Sequence, residues 1–344
     1  MENLLSNSKL RFYTVSPSGT KSFGQNDWLS HSYYKNLLEE HARIADNNGF
    51  YGMVFYCFNS ALDPWICASQ VLNRTKYISP LIAVQPYHYH PYVLAKKIAS
   101  LTYLYGRQID LNVVSGFSKK ELLNIGDNID DSRMTQRLGE YLSATRVLLE
   151  GGGSYSGDFY QINDMPISPK IPSELMPNLL VPGGSHSSVA KVIRERADSS
   201  LLMAKPLMEM KADLLQVSVE RTPVHHGMII GIVAREDKAS AWHFARSEYA
   251  GKRKDKIASR MMVSGTRSYQ HKYLIAAAEK QELYDNCLWY GGSRIGIDCP
   301  KLVGSYQEVR AGLEEYISLG VTDIIIDLPN DIGEYDHIFK VLGC

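Results

Sequence analysis

The sequence predicts an α/β fold, a (β/α)8 TIM barrel in which eight parallel strands are covered by helices. Short apolar runs typical of strands alternate with longer runs of helical spacing through nearly the whole chain. Eight such units occur within 344 residues, a length at which barrels of this class form one domain. We therefore expect a single domain over residues 1–344, with an open parallel sheet as the alternative fold.

The order of the predicted elements follows the alternation of these two apolar patterns. The eight predicted strands cover residues 10–16, 51–57, 77–84, 108–115, 179–183, 199–204, 227–234 and 321–329. A helix, or a segment that contains one, follows each strand, and a long helix is expected at about 255–282. Residues 151–178 are rich in Gly, Ser and Pro and predict a long connection with a short hairpin, roughly at 154–163. Residues 283–304 are expected to be irregular.

Composition excludes several classes of protein. The 37 basic and 37 acidic residues balance, so no net charge favours binding to nucleic acid or to an anionic membrane. The five cysteines show no CxxC spacing, which favours a reduced protein of the cytoplasm. No run approaches the ~18 apolar residues of a membrane span. The first residues lack the basic and apolar pattern of a signal peptide, so we expect a cytoplasmic location.

The fourth predicted strand ends in small and hydrogen-bonding residues. Asn112 interrupts the apolar run QIDLNVVS, and Ser115 and Gly116 follow it. Active sites of barrels lie at the C-terminal ends of the strands. Asn112 is therefore either a hydrogen-bonded core residue or a ligand contact, and Ser115 and Gly116 would let a flat or bulky group approach closely.

The fifth predicted strand ends in the sequence VPGGSHSS, which opens a helix. Gly183, Gly184 and Ser185 carry no bulky side chains, and free N–H groups at a helix start suit a phosphate. An ordinary capped helix after a tight turn is the alternative, because Gly-Gly-Ser alone is a weak signal.

The third predicted strand ends in a cluster of aromatic and histidine residues, QPYHYHPY. His90 precedes Pro91 and is expected to help start a helix, whereas His88, beside Tyr87, is better placed to face the barrel mouth. We expect His88 to act as a general base or as a hydrogen-bond donor to a ligand. A surface histidine is the alternative, and no metal is expected because a third acidic ligand is missing nearby.

Other catalytic motifs are absent from the sequence. No G-x-G-x-x-G opens a helix after the first strand, and the chain has no P-loop and no G-x-S-x-G. The strand ends therefore lack an obvious set of catalytic residues, which indicates that a cofactor carries the chemistry.

An ordered set of motifs resembles one family. GRQIDLNVVSG, NNGFYGMVFY with DPW, HPYVLAKKIASL, LVPGGS and YISLGVTDIIIDLP follow one another as they do in the bacterial luciferase-like flavin-dependent monooxygenases. The resemblance covers roughly residues 10–342, and it is closest to the alkanesulfonate and long-chain alkane monooxygenase branch.

The resemblance implies a (β/α)8 barrel that binds reduced FMN, delivered by a separate flavin reductase, at its C-terminal face. Such enzymes activate O₂ as a flavin C4a-(hydro)peroxide. They carry a long insertion near that face, here about 250–300, whose Arg253, Arg260, Arg267 and Arg294 could close over flavin or an anionic substrate. A solvated basic face is the alternative, and we prefer it for Arg253. The family commonly forms homodimers or homotetramers.

The resemblance also assigns roles to individual residues. Asn112 and Ser115 would lie beside the isoalloxazine ring, Gly116 would leave it room, and Gly184 and Ser185 would hold the phosphate with the helix that they start. Arg137 matches a family Arg, whereas Leu138 replaces the Tyr that usually follows it, so one phosphate contact is missing.

The substrate pocket of the alkanesulfonate enzymes is not reproduced. Apolar or neutral residues stand where those enzymes carry Cys, Arg, His, Arg and Tyr, in the order Ala61, Ile229, Gly231, Tyr290 and Leu328. Such replacements cannot bind a sulfonate. The substrate is therefore expected to be a small organic molecule other than a simple alkanesulfonate.

Three functions are compatible with the sequence. The first is a two-component FMNH₂-dependent monooxygenase with His88, Tyr13 and Tyr87 as the polar groups at the mouth. The second is an F420-dependent hydride-transfer oxidoreductase of the same superfamily. The third is a non-catalytic flavin-binding protein. O₂, a small-molecule substrate and a flavin reductase are the partners that the first reading implies.

Overall fold

The predicted strands form at the predicted places in a computed structural model. It describes residues 3–19, 27–58, 61–116, 119–183, 187–218, 225–251, 268–295, 299–329 and 331–343. Within these residues the strands are β1 (Arg11–Val15), β2 (Gly52–Phe55), β3 (Ser79–Val84), β4 (Asp110–Val113), β5 (Gly152–Ser156), β6 (Gln161–Pro166), β7 (Leu179–Pro182), β8 (Ser199–Met203), β9 (His225–Arg235), β10 (Leu283–Tyr284), β11 (Leu288–Trp289), β12 (Lys301–Ser305) and β13 (Val321–Ile326).

Helices follow the strands as the alternation predicts. They are α1 (His31–Asn47), α2 (Pro64–Leu72), α3 (Pro91–Tyr105), α4 (Lys119–Asn124), α5 (Asp131–Leu149), α6 (Ser187–Arg196), α7 (Leu207–Val217), α8 (Lys238–Glu248), α9 (Tyr269–Lys280), α10 (Tyr306–Ser318) and α11 (Glu334–Leu342). The helix predicted at 255–282 is observed over α9, and its first part lies outside the described residues.

The strand order closes on itself. Pairing runs from β9 through β13, β1, β2, β3, β4 and β7 to β8, and β8 pairs again with β9. Eight strands therefore form a closed sheet, and neighbours such as β2 and β3 are parallel. Helices flank the sheet, which is the predicted (β/α)8 barrel.

The prediction that residues 283–304 are irregular is wrong. β9 spans 11 residues, and its second half pairs with β12 from Gly231 with Lys301 to Arg235 with Ser305. The short strands β10 and β11 extend this sheet in antiparallel fashion. The segment escapes prediction because its strands are two to five residues long and show too little periodicity.

The long connection contains the predicted hairpin. β5 and β6 pair in antiparallel fashion over residues 152–166, so the hairpin is longer at both ends than predicted. Asp164 has a positive φ of 44° close to the register shift in β5.

Two helices that follow strand ends begin at side-chain caps, of which the sequence analysis predicted the one at His90. Asp63 caps α2 by accepting hydrogen bonds from the N–H groups of Trp65 and Ile66. His90 caps α3 by accepting one from the N–H of Tyr92, with a proline at the first helical position. These caps fix where the chain turns from β2 and β3 into the next helix.

The chain divides by its internal packing into two units, with boundaries inside β1 and β8. The first unit is Val15–Ser200, and the second is Leu201–Cys344 together with Met1–Thr14. In the first unit, β2 and β3 are buried along their whole length, and α2 packs against both strands. The single domain expected over residues 1–344 stays a prediction.

The second unit has an aromatic core beside β9 and β12. Val233, Val303 and Trp289 are buried together, and Trp242 and Tyr249 pack against them. The ring centroids of Tyr249 and Trp289 lie 5.8 Å apart. This packing holds Tyr249 next to the first residues of β12.

Within the described residues, no helix is long and apolar enough to cross a membrane.

Candidate functional site

The C-terminal ends of β2 and β3 bring together four side chains, which we call the His88 cluster: Cys57, Gln85, Tyr87 and His88. Sγ of Cys57 lies 3.4 Å from Nδ1 of His88. The amide of Gln85 donates to the carbonyl oxygen of Cys57 at 3.2 Å and accepts from the hydroxyl of Tyr87. The rings of Tyr87 and His88 meet edge to face at 4.3 Å. The structure thus places the predicted pair His88 and Tyr87 in one network.

Both members of the thiol–imidazole contact are neutral near pH 7. Burial raises the pKa of Cys57 to about 11, and Asp63 adds to this effect. Although His88 is an exposed residue, desolvation of its ring lowers its pKa, while Asp63 opposes the change. The thiol can then donate to Nδ1, which leaves the ring proton on Nε2 as a donor for a ligand.

Asn112 has an unsatisfied oxygen. The residue is 6% exposed at the end of β4, in register with Ala83 and Leu180 on the neighbouring strands. Its Oδ1 atom is buried and has no hydrogen-bond partner within the described residues. Because an unpaired buried carbonyl is costly, this atom calls for an N–H donor from a bound group. Of the two readings of Asn112, this geometry favours a ligand contact.

Arg137 is already bound to a carboxylate. Two of its nitrogens donate to Asp127 at 2.9 and 2.6 Å, and the guanidinium lies 5.7 Å from the ring of Tyr87. Its Nε is buried without a partner in the described part of the chain. The predicted contact of Arg137 with the cofactor would therefore use this nitrogen or the N–H groups that the ion pair leaves over.

Gly116 is required by its backbone and by packing. Its φ of +140° is rare for L side chains. A Cβ atom would lie 3.0 Å from Cε of Met134 and 3.1 Å from Cδ1 of Leu122. The space beside this glycine is filled by those side chains, so room for a ring has to come from another direction.

The remaining predicted residues are placed less completely. Ser115 is half-buried just after β4, and Gly183 is buried just after β7. Gly184 and Ser185 lie outside the described residues, as do Arg253, Arg260 and Arg267.

Arg294 donates twice to the carbonyl oxygen of Ala278 and lies near Glu282, so it anchors a turn. Tyr13 is fully buried on β1, in register with Ile325.

The second unit contains a buried ion pair that the sequence did not predict, at the C-terminal end of β13 and beside Gly231 in the middle of β9. Nζ of Lys301 lies 2.9 Å from Oδ2 of Asp327, and it sits 5.0 Å from the ring centroid of Tyr249. A Cβ atom on Gly231 would lie 2.7 Å from Cγ of Lys301 and 2.8 Å from its Nζ. Gly231 therefore provides the notch in which the lysine side chain lies.

Lys301 keeps its charge despite its burial. Desolvation acts to lower the pKa of Lys301, but Asp327, Tyr249 and Cys299 outweigh it, so the pKa stands above its usual value. Asp327 could have been suspected because it directly follows the apolar run of the last strand. Lys301 could not, since it starts a strand in a segment with no clear pattern.

Tyr290 and Ile229 stand where the alkanesulfonate enzymes carry charged residues, and neither offers a charge in the structure. Tyr290 is fully buried, and its hydroxyl donates to the carbonyl oxygen of Ala204 at 2.8 Å. Ile229 is 9% exposed, and its carbonyl oxygen accepts from the N–H of Ala204. The surroundings of these positions are nevertheless not wholly apolar, because the Lys301–Asp327 pair lies beside Ile230 and Gly231 of β9.

In the part of the chain that the structure describes, no three His, Cys, Asp or Glu side chains are grouped as a metal site.

Comparison with known proteins identifies the family. The luciferase-like monooxygenase family matches residues 20–323. The 4-(γ-L-glutamylamino)butanoyl-[BtrI acyl-carrier protein] monooxygenase BtrO of Niallia circulans is 35% identical over 327 residues, which are 93% of this chain and 95% of that protein.

Solved structures share the fold. EDTA monooxygenase EmoA from Chelativorans sp. BNC1 aligns with a TM-score of 0.74 at 14% identity, over 97% of this chain and 92% of that one. Long-chain alkane monooxygenase LadA aligns with a TM-score of 0.72 at 12% identity, over 97% and 90%. F420-dependent enzymes also share the fold. The predicted barrel and the predicted monooxygenase class are confirmed, and the chain belongs to the luciferase-like monooxygenase family.

Proposed function

We propose that the chain is a two-component monooxygenase that receives reduced FMN from a separate flavin reductase and uses O₂ to oxidise a small organic substrate. The observation that carries the proposal is the buried, unpaired Oδ1 of Asn112 at the end of β4. In a chain of this family, this is the place where a flavin N–H is expected. When bound, reduced flavin supplies the electrons and activates O₂.

The residues of the first unit fit such a cofactor. Reduced flavin offers ring N–H donors, one of which can satisfy Asn112. The buried Nε of Arg137 is a donor that an anionic group can use. Contacts from Ser115 and Gly183, and phosphate binding by Gly184 and Ser185, remain part of the proposal.

The chain's own contribution is to hold a proton and to keep water away. With the thiol of Cys57 donating to Nδ1, His88 presents an Nε2–H toward a ligand. Tyr87 is fixed by Gln85, and burial raises the pKa of its hydroxyl, so it stays a protonated donor. Tyr87 is thus the second polar group proposed beside His88, and Tyr13, buried on β1 of the second unit, stays a proposal from the sequence alone.

We propose that the substrate is an acyl group derived from an amino acid and presented on a carrier protein. The support is the 35% identity with BtrO, whose name gives such a substrate. A simple alkanesulfonate is disfavoured because Ile229 and Leu328 replace polar residues of the alkanesulfonate enzymes.

Two alternatives remain within the same fold. An F420-dependent hydride transfer would use the barrel without oxygen chemistry, and a non-catalytic flavin protein would bind FMN without changing its reactivity. No observation on the described residues favours either over the monooxygenase.

An anaerobic titration followed by stopped-flow mixing tests the proposal. The protein would be titrated with FMNH₂ and, separately, with reduced F420, and then mixed with aerated buffer. We expect tight binding of FMNH₂ and a flavin reoxidation rate clearly different from that of free flavin. Unchanged reoxidation would contradict the monooxygenase, and preference for F420 would favour hydride transfer. The Asn112→Leu variant tests the residue that carries the proposal, and we expect it to bind FMNH₂ more weakly than the wild-type protein.

We also propose a homodimer or homotetramer in the cytoplasm. A groove between α2 and α3 is lined by Trp65, Ile66, Tyr92 and Val93, of which Ile66 is 71% exposed. Exposed apolar surface of this kind suits a second copy of the chain.

The four cysteines of the described residues are free thiols, as expected in a reducing compartment.

A further inference from the structure

We propose that the Lys301–Asp327 pair is a binding site for a zwitterionic amino-acid head group of the substrate, with the carboxylate on Lys301 and the ammonium on Asp327. This inference rests on the proposed function, since it names the part of the substrate that the chain recognises. Both residues of the proposed site, Lys301 and Asp327, belong to the second unit.

The position of the pair is that of a ligand site. Lys301 and Asp327 meet where β13 ends against β9, since the N–H of Asp327 donates to the carbonyl oxygen of Ile230. The C-terminal ends of strands are where this fold binds substrates. A side chain added at Gly231 would collide with Lys301. A structural ion pair could form anywhere on the sheet, whereas Asp327 directly follows the C-terminal end of β13 and holds Lys301 there.

The geometry leaves both side chains with further hydrogen-bonding capacity, although Oδ1 of Asp327 already accepts from the N–H of Leu328 at 3.0 Å. An ammonium group has three N–H donors, and Asp327 engages one of those of Lys301 at 2.9 Å. The side chain of Asp327 is 18% exposed and that of Lys301 only 6%, so the carboxylate is the open end of the pair. The ring of Tyr249 covers the lysine on one side. A second carboxylate and a second ammonium can therefore extend the pair into a ring of four alternating charges.

Charge balance selects the ligand class. A buried pair with one charge of each sign accepts a net-neutral zwitterion without adding net charge. A sulfonate or simple carboxylate would compete with Asp327 for Lys301 and leave one buried charge unpaired, which is costly. This chain lacks the substrate-binding residues of the alkanesulfonate enzymes, yet it holds the ammonium group of Lys301 in the notch at Gly231. Recognition of a zwitterionic ligand would account for that buried cation.

Binding of a defined probe tests the inference. The probe is the methyl ester of 4-(γ-L-glutamylamino)butanoate, whose charges lie only in the α-amino acid head. Two analogues remove one charge each, the N-acetyl derivative and the α-carboxamide. Affinities would be measured by calorimetry, and by the fluorescence of Trp289 next to Tyr249, with and without bound FMN.

The expected result is a selective pattern across variants. The wild-type protein should bind the probe about 10- to 100-fold more tightly than either analogue. Lys301→Met should lose discrimination against the carboxamide, and Asp327→Asn should lose discrimination against the N-acetyl derivative. Lys301→Arg should restore much of the binding. Arg235→Met, which breaks the ion pair of Arg235 with Glu334 at the far end of β9, is the matched control and should bind like wild type.

Equal binding of the three compounds by the wild-type protein, or no binding in either flavin state, would overturn the inference. Undiminished binding by Lys301→Met would do the same. FMNH₂ affinity, measured on the same samples, reports separately on the proposed function, because the pair belongs to the second unit and Asn112 to the first. Circular dichroism of each variant shows that folded protein is being compared.

Discussion

The His88 cluster with Asn112 and the Lys301–Asp327 pair solve the problem of burying polar atoms at strand ends in opposite ways. Asn112 keeps a buried oxygen without a partner, and His88 and Cys57 are neutral. Lys301 and Asp327 are charged, and each satisfies the other. An unsatisfied acceptor indicates a ligand that completes it, whereas a satisfied pair indicates a preformed site whose partner must offer both charges. Removing a polar group should therefore lower the free energy of unfolding at the ion pair and raise it at Asn112, and the two effects can be tested separately.

The largest effect is expected from breaking the ion pair. Lys301→Met leaves the carboxylate of Asp327 without its cation, which should lower the free energy of unfolding by about 3 kcal/mol. The double variant Lys301→Met with Asp327→Leu should recover much of this loss, because no unpaired charge remains. Urea denaturation of the single and double variants is the measurement. Equal destabilisation in both would show that packing, and not charge, holds this region.

Acid should destabilise the second unit through His271, a half-buried histidine with a desolvated ring. Burial lowers the pKa of His271 to about 4 from 6.5, so the unfolded chain binds the proton more tightly. Stability from this group is complete above about pH 6.5 and is lost as the pH falls toward 4. Between pH 7 and pH 5 the loss should be roughly 2 kcal/mol.

Denaturation of the His271→Gln variant at several pH values checks this expectation. Its stability should fall less steeply than that of wild type in this window. The control is His243→Gln, at an exposed position of α8, which should keep the wild-type slope. An identical slope for His271→Gln would assign the acid sensitivity to other groups.

Removing the unpaired oxygen should stabilise the protein and weaken cofactor binding. Asn112→Leu replaces a buried amide of similar size by an apolar side chain, which should raise the free energy of unfolding of the flavin-free protein by about 1 kcal/mol. FMNH₂ affinity should fall about tenfold or more. Thermal unfolding without flavin and an anaerobic titration measure the two effects. A destabilised variant would mean that Asn112 serves the core.

The smallest effect is expected at Cys57. Cys57→Ser keeps a donor for Nδ1 of His88, whereas Cys57→Ala removes it, which should lower turnover about 2- to 10-fold in the alanine variant only. The ¹⁵N NMR signals of the His88 ring should show Nε2–H in the wild-type and serine proteins. Wild-type turnover and an unchanged tautomer in Cys57→Ala would remove Cys57 from the proposed site.

Much of the fold follows from local patterns. The helix predicted to start at His90 and Pro91 is observed as α3, Pro91–Tyr105, and Gly106, in the left-handed region, ends it. Asn112 could be singled out because it is a polar residue inside an apolar strand. Cys57 was overlooked, although its place two residues after β2 is itself a signal in this fold.

By itself, the sequence determined the alternation of strands and helices, the start of α3 at His90 and Pro91, and the family to which the chain belongs. Only the tertiary structure decided that Lys301 pairs with Asp327, 26 positions along the chain, and that Cys57 meets His88, 31 positions away. Helix and strand patterns are local, since they reflect the backbone and its near neighbours. The partners of a buried charge or thiol depend on strand register and on notches such as Gly231, which no local pattern contains.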